Sequence, residues 1–96
     1  MREAKVLHLT LKKKWFDMIA SGEKKEEYRE IKPYWDKRFI NKSYEVIQFR
    51  NGYAKDSPKM QVKLGHISQS LGIVEWGAPE EDVVYILTLG DILWVK

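Results

Sequence analysis

The chain has 96 residues, no cysteine and a formal net charge of +3 from 17 Lys/Arg and 14 Asp/Glu. That length suits one domain, and 44% hydrophobic with 32% charged residues is a globular composition rather than a disordered or fibrous one. Without cysteine there is no disulfide framework, thiolate zinc site, iron–sulfur site or cysteine nucleophile.

The elements follow in chain order. Val6–Leu11 alternates Leu7, Leu9 and Leu11 against His8 and Thr10, the pattern of a half-buried strand. The run is bounded by Lys5 and by Lys12-Lys13-Lys14, too short and too polar for a signal-peptide core after Met1-Arg2-Glu3-Ala4. No apolar run reaches the roughly 20 residues of a membrane span. The protein reads as soluble and cytoplasmic, with no membrane partner. Residues 13–21 change period: Trp15, Met18 and Ile19 fall at i, i+3 and i+4, which predicts a short amphipathic helix. Gly22 is placed to end it with positive φ. On that ground Gly22→Val is expected to disrupt folding more than Lys24→Ala.

Residues 25–29 read as a polar strand with Lys25, Glu27 and Arg29 on one face and Glu26 and Tyr28 on the other. Pro33 suits the first turn of a brief helix over 34–39. Residues 44–50 form the next strand, ended by Asn51-Gly52, and 53–59 read as an exposed loop. Residues 60–67 alternate again, 68–72 break, and 73–76 are short and apolar. An acidic turn over 77–82 leads to the β-rich 83–89. Gly90-Asp91 reads as a tight turn or bulge before a last strand over 92–95. The expected architecture is α+β: a small, partly closed mixed β-barrel of about six strands, with one or two short helices.

Charge is uneven. Residues 1–42 carry 12 Lys/Arg against 7 Asp/Glu, a balance of +5; residues 43–96 carry 5 against 7, a balance of −2. A basic first half favours phosphate-bearing partners, although a solvated mixed-charge surface has the same composition. Within that half, residues 21–30 stand out. A strand face bearing Lys25, Glu27 and Arg29 cannot enter a dry core unpaired. It must see solvent, pair internally or line a polar cleft; a charged edge strand is the plainer alternative.

Gly22-x-Lys24-x-x-Glu27-x-Arg29 resembles the G-x-K-x-x-E-x-R signature of the ASCH domain family. The similarity extends over about residues 6–95. It takes in Leu7-His8-Leu9-Thr10-Leu11, Trp15-Phe16-x-x-Ile19-x-x-Gly22, Lys32-Pro33-Tyr34-Trp35 and Phe49-Arg50-Asn51-Gly52-Tyr53. The last two segments resemble a short single-domain phage or bacterial branch. The resemblance implies a PUA-like barrel whose motif residues line a cleft between barrel and helices, and RNA as partner. Lys24 and Arg29 would then contact phosphate, Glu27 would orient them, and Tyr28, Arg50, Asn51 and Tyr53 would line the rim. Arginine's planar fork suits phosphate. A structural ion-pair network built from the same three charges is the alternative.

Some relatives in that family are enzymes, and they supply a second reading: a hydrolase of a modified nucleoside or of single-stranded RNA, with Lys24 and Glu27 catalytic. In the branch that deacylates N4-acetylcytidine the motif carries threonine where this chain has Glu27. A carboxylate cannot replace a hydroxyl nucleophile, so Glu75, a candidate later carboxylate, would serve an incomplete triad. A third reading is a protein-interaction module whose basic face docks an acidic partner. Tyr34, Trp35 and Tyr53 lie in polar or turn contexts where they could stack bases of single-stranded RNA or a nucleotide. Trp15, Tyr85 and Trp94 are expected in the core. His8 and His66 have no evident ligand partners, and no metal or cofactor is expected.

Overall fold

The computed structural model describes residues 5–96; Met1 to Ala4, which the signal-peptide argument partly concerns, lie outside the described residues. The elements are β1 (Val6–Leu11), α1 (Lys13–Ala20), β2 (Glu26–Arg29), α2 (Pro33–Phe39), β3 (Val46–Asn51), β4 (Lys59–Leu71), a 3-10 turn (Val74–Trp76) and β5 (Val83–Val95). The strands form one sheet in the order β1-β3-β4-β5-β2. β1 runs parallel to β3 and every other pair is antiparallel. The mixed sheet curls into a half-barrel, giving a small α+β domain with two helices.

Local chemistry accounts for the early elements. Leu7, Leu9 and Leu11 are all buried on the inner face of β1, as the period-two pattern requires. α1 buries Phe16 and Ile19 on the same side. Gly22 follows it with φ +86°, and its N–H donates to the Ile19 carbonyl, closing the last turn. Pro33 opens α2 at its first turn. Gly52, at φ +83°, turns the chain after β3, and its N–H donates to the Leu11 carbonyl.

The second half corrects the expected strand count from about six to five. The break expected over 68–72 does not interrupt β4: Ser68, Gln69, Ser70 and Leu71 pair with Ile86, Tyr85, Val84 and Val83. Of the two readings of Gly90-Asp91 the bulge holds and the turn does not: 83–95 is one strand, and its register against β4 shifts between Ile92 and Leu89. Residues 73–76 form no strand, because Val74–Trp76 close a 3-10 turn. The cause is bulging. Register shifts between Gln61 and Ile67 let two 13-residue strands bend without losing their ladder. Gly65 and Gly90 mark close approaches there: a Cβ on Gly65 would sit 3.2 Å from the Thr88 carbonyl oxygen, and one on Gly90 3.3 Å from the Lys63 Cβ.

The main core lies inside the curl, where Leu7, Leu9, Phe16, Ile19, Ile47, Phe49, Met60, Val62 and Leu87 pack together with the α2 residue Phe39. A smaller cluster of Tyr28, Ala78, Val84 and Ile86, with Trp76 beside it, covers the opposite face of β2 and β5. Tyr85 is in the main core as expected, but Trp94 is only half-buried.

Candidate nucleotide-binding cleft

β1 and β2 are the two edge strands of the sheet, and the curl brings them to opposite sides of a cleft of about 470 Å³. Its walls include His8, Thr10 and Lys12 from β1 and the residue after it, and Glu27 and Arg29 from β2. The rest is aromatic: Trp15 from α1, Tyr34 and Trp35 from α2, and Tyr53 from the β3–β4 loop. The cleft is therefore the open seam of the half-barrel, roofed by both helices.

One side chain crosses the seam. The Arg29 Nη1 donates to Glu27 Oε2 at 2.5 Å and to the Tyr28 carbonyl at 2.7 Å, while Nη2 donates to the Thr10 carbonyl at 3.3 Å. The guanidinium also lies 5.2 Å from the Trp35 ring centroid. Trp35 is itself fixed by near-parallel stacking on Phe39 at 5.4 Å. Arg29 thus stitches the two edges that backbone pairing leaves open, and its side chain stays 16% exposed to the cleft.

Glu27 pairs across β2–β5 with Leu87, which is fully buried, so this carboxylate sits on the core face. Two cations make that tolerable. Arg29 holds one oxygen and the Lys24 Nζ lies 3.2 Å from the other. The charged face read from the sequence therefore both pairs internally and lines a polar cleft. Lys25, which shares its parity, is exposed.

Lys24 is where the geometry departs most from expectation. Its side chain has no exposed surface, and it does not line the seam. The ammonium donates to the Trp76 carbonyl and sits 5.0 Å and 4.7 Å from the ring centroids of Trp15 and Tyr28. Burial lowers its pKa below the ordinary lysine value, against the pull of the Glu27 charge. In place of a phosphate contact, Lys24 holds Glu27 from behind and ties the 3-10 turn to the barrel.

Tyr28 likewise faces away from the seam, on the smaller core cluster. Its hydroxyl donates to Glu26 Oε1 at 2.8 Å and accepts from the Ile73 N–H at 3.0 Å. Burial is the main cause of its raised pKa. Arg50 is turned to the β3–β4 loop, where Nη2 donates to the Tyr53 and Ala54 carbonyls at 3.3 and 2.5 Å. Asn51 is half-buried at the end of β3, its N–H donating to the Pro58 carbonyl. Tyr53 lines the seam and is 84% exposed.

Four seam residues carry no mark of a site in the sequence: His8, Thr10, Lys12 and Trp15. His8 and Thr10 only alternate with the buried leucines of β1, Lys12 closes an apolar run, and Trp15 has the helical spacing of a core residue. The contacts of Trp15 with Lys24 and the Gly77 turn come from segments that this spacing does not announce. The cations around the seam also stack on its rings: Lys14 Nζ lies 4.7 Å from the Trp15 centroid, and the Arg38 guanidinium 3.6 Å from that of Tyr34. Among the described residues no three His, Asp or Glu side chains converge in a way that could hold a metal ion. No protein-family model matches the chain, and neither a curated protein nor a solved structure does.

Proposed function

We propose that this chain is a PUA-like domain of the ASCH type that binds single-stranded RNA or a nucleotide in the seam between β1 and β2. The observation that carries the reading is the cleft-facing guanidinium of Arg29, anchored by Glu27 and the Thr10 carbonyl and flanked by Trp35, Tyr34 and Tyr53. A pre-oriented cation beside the exposed rings of Tyr34 and Tyr53 is the chemistry that holds a phosphate and stacks a base. Lys12 adds a second cation to the same wall. A duplex fits poorly: the helices are of eight and seven residues, and both roof the cleft rather than present a face to a groove.

The hydrolase reading has less support. Lys24 is enclosed, and both Glu27 oxygens are held by cations, which leaves neither group free to move a proton at a bound ligand. The test is a titration with a short single-stranded RNA and its duplex over a range of salt. The single strand should bind better, with a log–log salt slope of about −1 to −3 at ~0.7 per phosphate. Arg29→Ala should weaken binding and flatten the slope, with no product released. Equal affinity of Arg29→Ala and the parent chain would leave the Lys24–Glu27–Arg29 cluster as an ion-pair network only.

A further inference from the structure

Arg29 and Trp35 form a wall of two cavities. Beyond the seam, a second cavity of about 720 Å³ is lined by the same two side chains, by Glu30 and Ile31, and by the turn that carries residues 77–79 and Asp82. Both volumes fall in the range of small-molecule sites, roughly 300–1,000 Å³. Their charges differ. The seam has Lys12 on its wall, its one lining carboxylate, Glu27, is paired with Lys24 and Arg29, and Lys14 and Arg38 stack on its aromatic rings. The acidic groups lining the second cavity are Glu30 and Asp82, both exposed, and Glu80 and Glu81 precede Asp82 in sequence. Glu30 is only loosely paired, 3.7 Å from Lys32.

The boundary residue has capacity to spare. A guanidinium carries five N–H donors. Three are engaged, by Glu27, the Tyr28 carbonyl and the Thr10 carbonyl. Resting on the nucleic-acid reading above, we propose that the two cavities form one bipartite groove for the end of a single-stranded RNA. The penultimate nucleotide stacks against the exposed rings of Tyr34 and Tyr53, and its linking phosphate meets Arg29. The terminal nucleoside enters the second cavity, where the carboxylates of Asp82 and Glu30 accept hydrogen bonds from its free hydroxyls. Those same carboxylates repel any further phosphate, so the groove selects an unphosphorylated terminus.

The experiment is calorimetric titration at low salt with adenosine monophosphate, with adenylyl-adenosine, and with adenylyl-adenosine bearing an added phosphate at its 5′ or its 3′ end. Adenylyl-adenosine should bind about tenfold tighter than the mononucleotide, from the hydrogen bonds of its terminal hydroxyls to Asp82 and Glu30. An added phosphate at one end should weaken binding about fivefold by like-charge repulsion, and the penalised end identifies the terminus that enters the second cavity. The surface variant Asp82→Asn/Glu30→Gln should abolish that penalty, so that adenylyl-adenosine and its phosphorylated forms bind alike, and should itself weaken adenylyl-adenosine by replacing two charged acceptors with neutral ones. The proposal is overturned when neither added phosphate weakens binding, when the penalty survives the double variant, or when adenylyl-adenosine binds no better than the mononucleotide. Mononucleotide binding without end discrimination sinks only the bipartite groove. No binding of any of the four sinks the nucleic-acid reading with it.

Discussion

Glu27→Gln removes the carboxylate that pairs with both Lys24 and Arg29. The Lys24 Nζ lies 3.2 Å from the carboxylate, and its side chain has no exposed surface. At an effective dielectric of about 20, a pair at that distance attracts by about 5 kcal/mol before the cost of desolvation is subtracted. Breaking a buried pair by deleting one partner costs about 3–5 kcal/mol, because the other charge is left uncompensated. That is a large part of the roughly 5–15 kcal/mol that holds a domain together. Urea unfolding at neutral pH should show a loss of that size with an unchanged m-value. Burial already lowers the Lys24 pKa, and losing Glu27 lowers it further. The unfolded state then binds more protons than the folded one between the lowered value and 10.5, so the variant's stability should rise with pH in that window. Lys24→Met/Glu27→Gln should recover about 1–3 kcal/mol relative to the sum of the single losses. A loss below about 1 kcal/mol for Glu27→Gln, or strict additivity in the double variant, would refute the argument that these charges depend on one another.

Three further outcomes are expected. Lys24→Ala should destabilise more than Gly22→Val, reversing the ranking drawn from sequence. A non-glycine residue at the φ of +86° meets only the tip of Lys25 and costs about 1–3 kcal/mol in strain, whereas Lys24→Ala empties a buried ion-pair site; paired melting curves decide it. Gly72→Ala should lower the melting temperature clearly more than Gly65→Ala, because its Cβ would lie 2.6 Å from both the Ala78 Cβ and the Tyr28 ring, against 3.2 Å for the nearest atom at Gly65; equal melting temperatures would contradict the close packing of the 72–78 segment on Tyr28. Tyr28 ionises above its ordinary 10.0 in the folded chain. Its contribution is therefore fully present below pH 10 and is lost as pH rises beyond it, so Tyr28→Phe should flatten the alkaline decline in stability. An unchanged pH profile in that variant would assign the decline to other groups.

What was legible in the sequence was short in range. The Leu7, Leu9, Leu11 alternation, the Trp15–Ile19 spacing with Gly22 behind it, and Pro33 ahead of α2 are each decided within one turn or a few residues of strand. The lengths of β4 and β5 were not legible, since polar residues such as Ser68 and Ser70 are held in the ladder by partners on β5; of the bulges that bend it, Gly90-Asp91 is the one the sequence marks. The parity of β2 put Glu27 and Arg29 on one face, and there they pair beside a cleft. It could not say that Lys24 turns inward, because that depends on the Trp76 carbonyl, 52 positions away, and on the rings of Trp15 and Tyr28. Arg50 shows the same gap: it looked like a rim cation, yet its reach is spent on the loop carbonyls of Tyr53 and Ala54.

On the proposed reading the seam between β1 and β2 receives a nucleotide at Arg29. Amide and indole chemical-shift mapping during titration with a short single-stranded RNA decides it. Perturbations should concentrate at Thr10, Lys12, Arg29, Tyr34 and Tyr53 and at the indoles of Trp15 and Trp35. They should be lost in Arg29→Ala while the unbound spectrum elsewhere stays that of the folded chain. Perturbations centred instead on the cavity beside Tyr44, His66 and Gln69, or none at all at low salt, would contradict it.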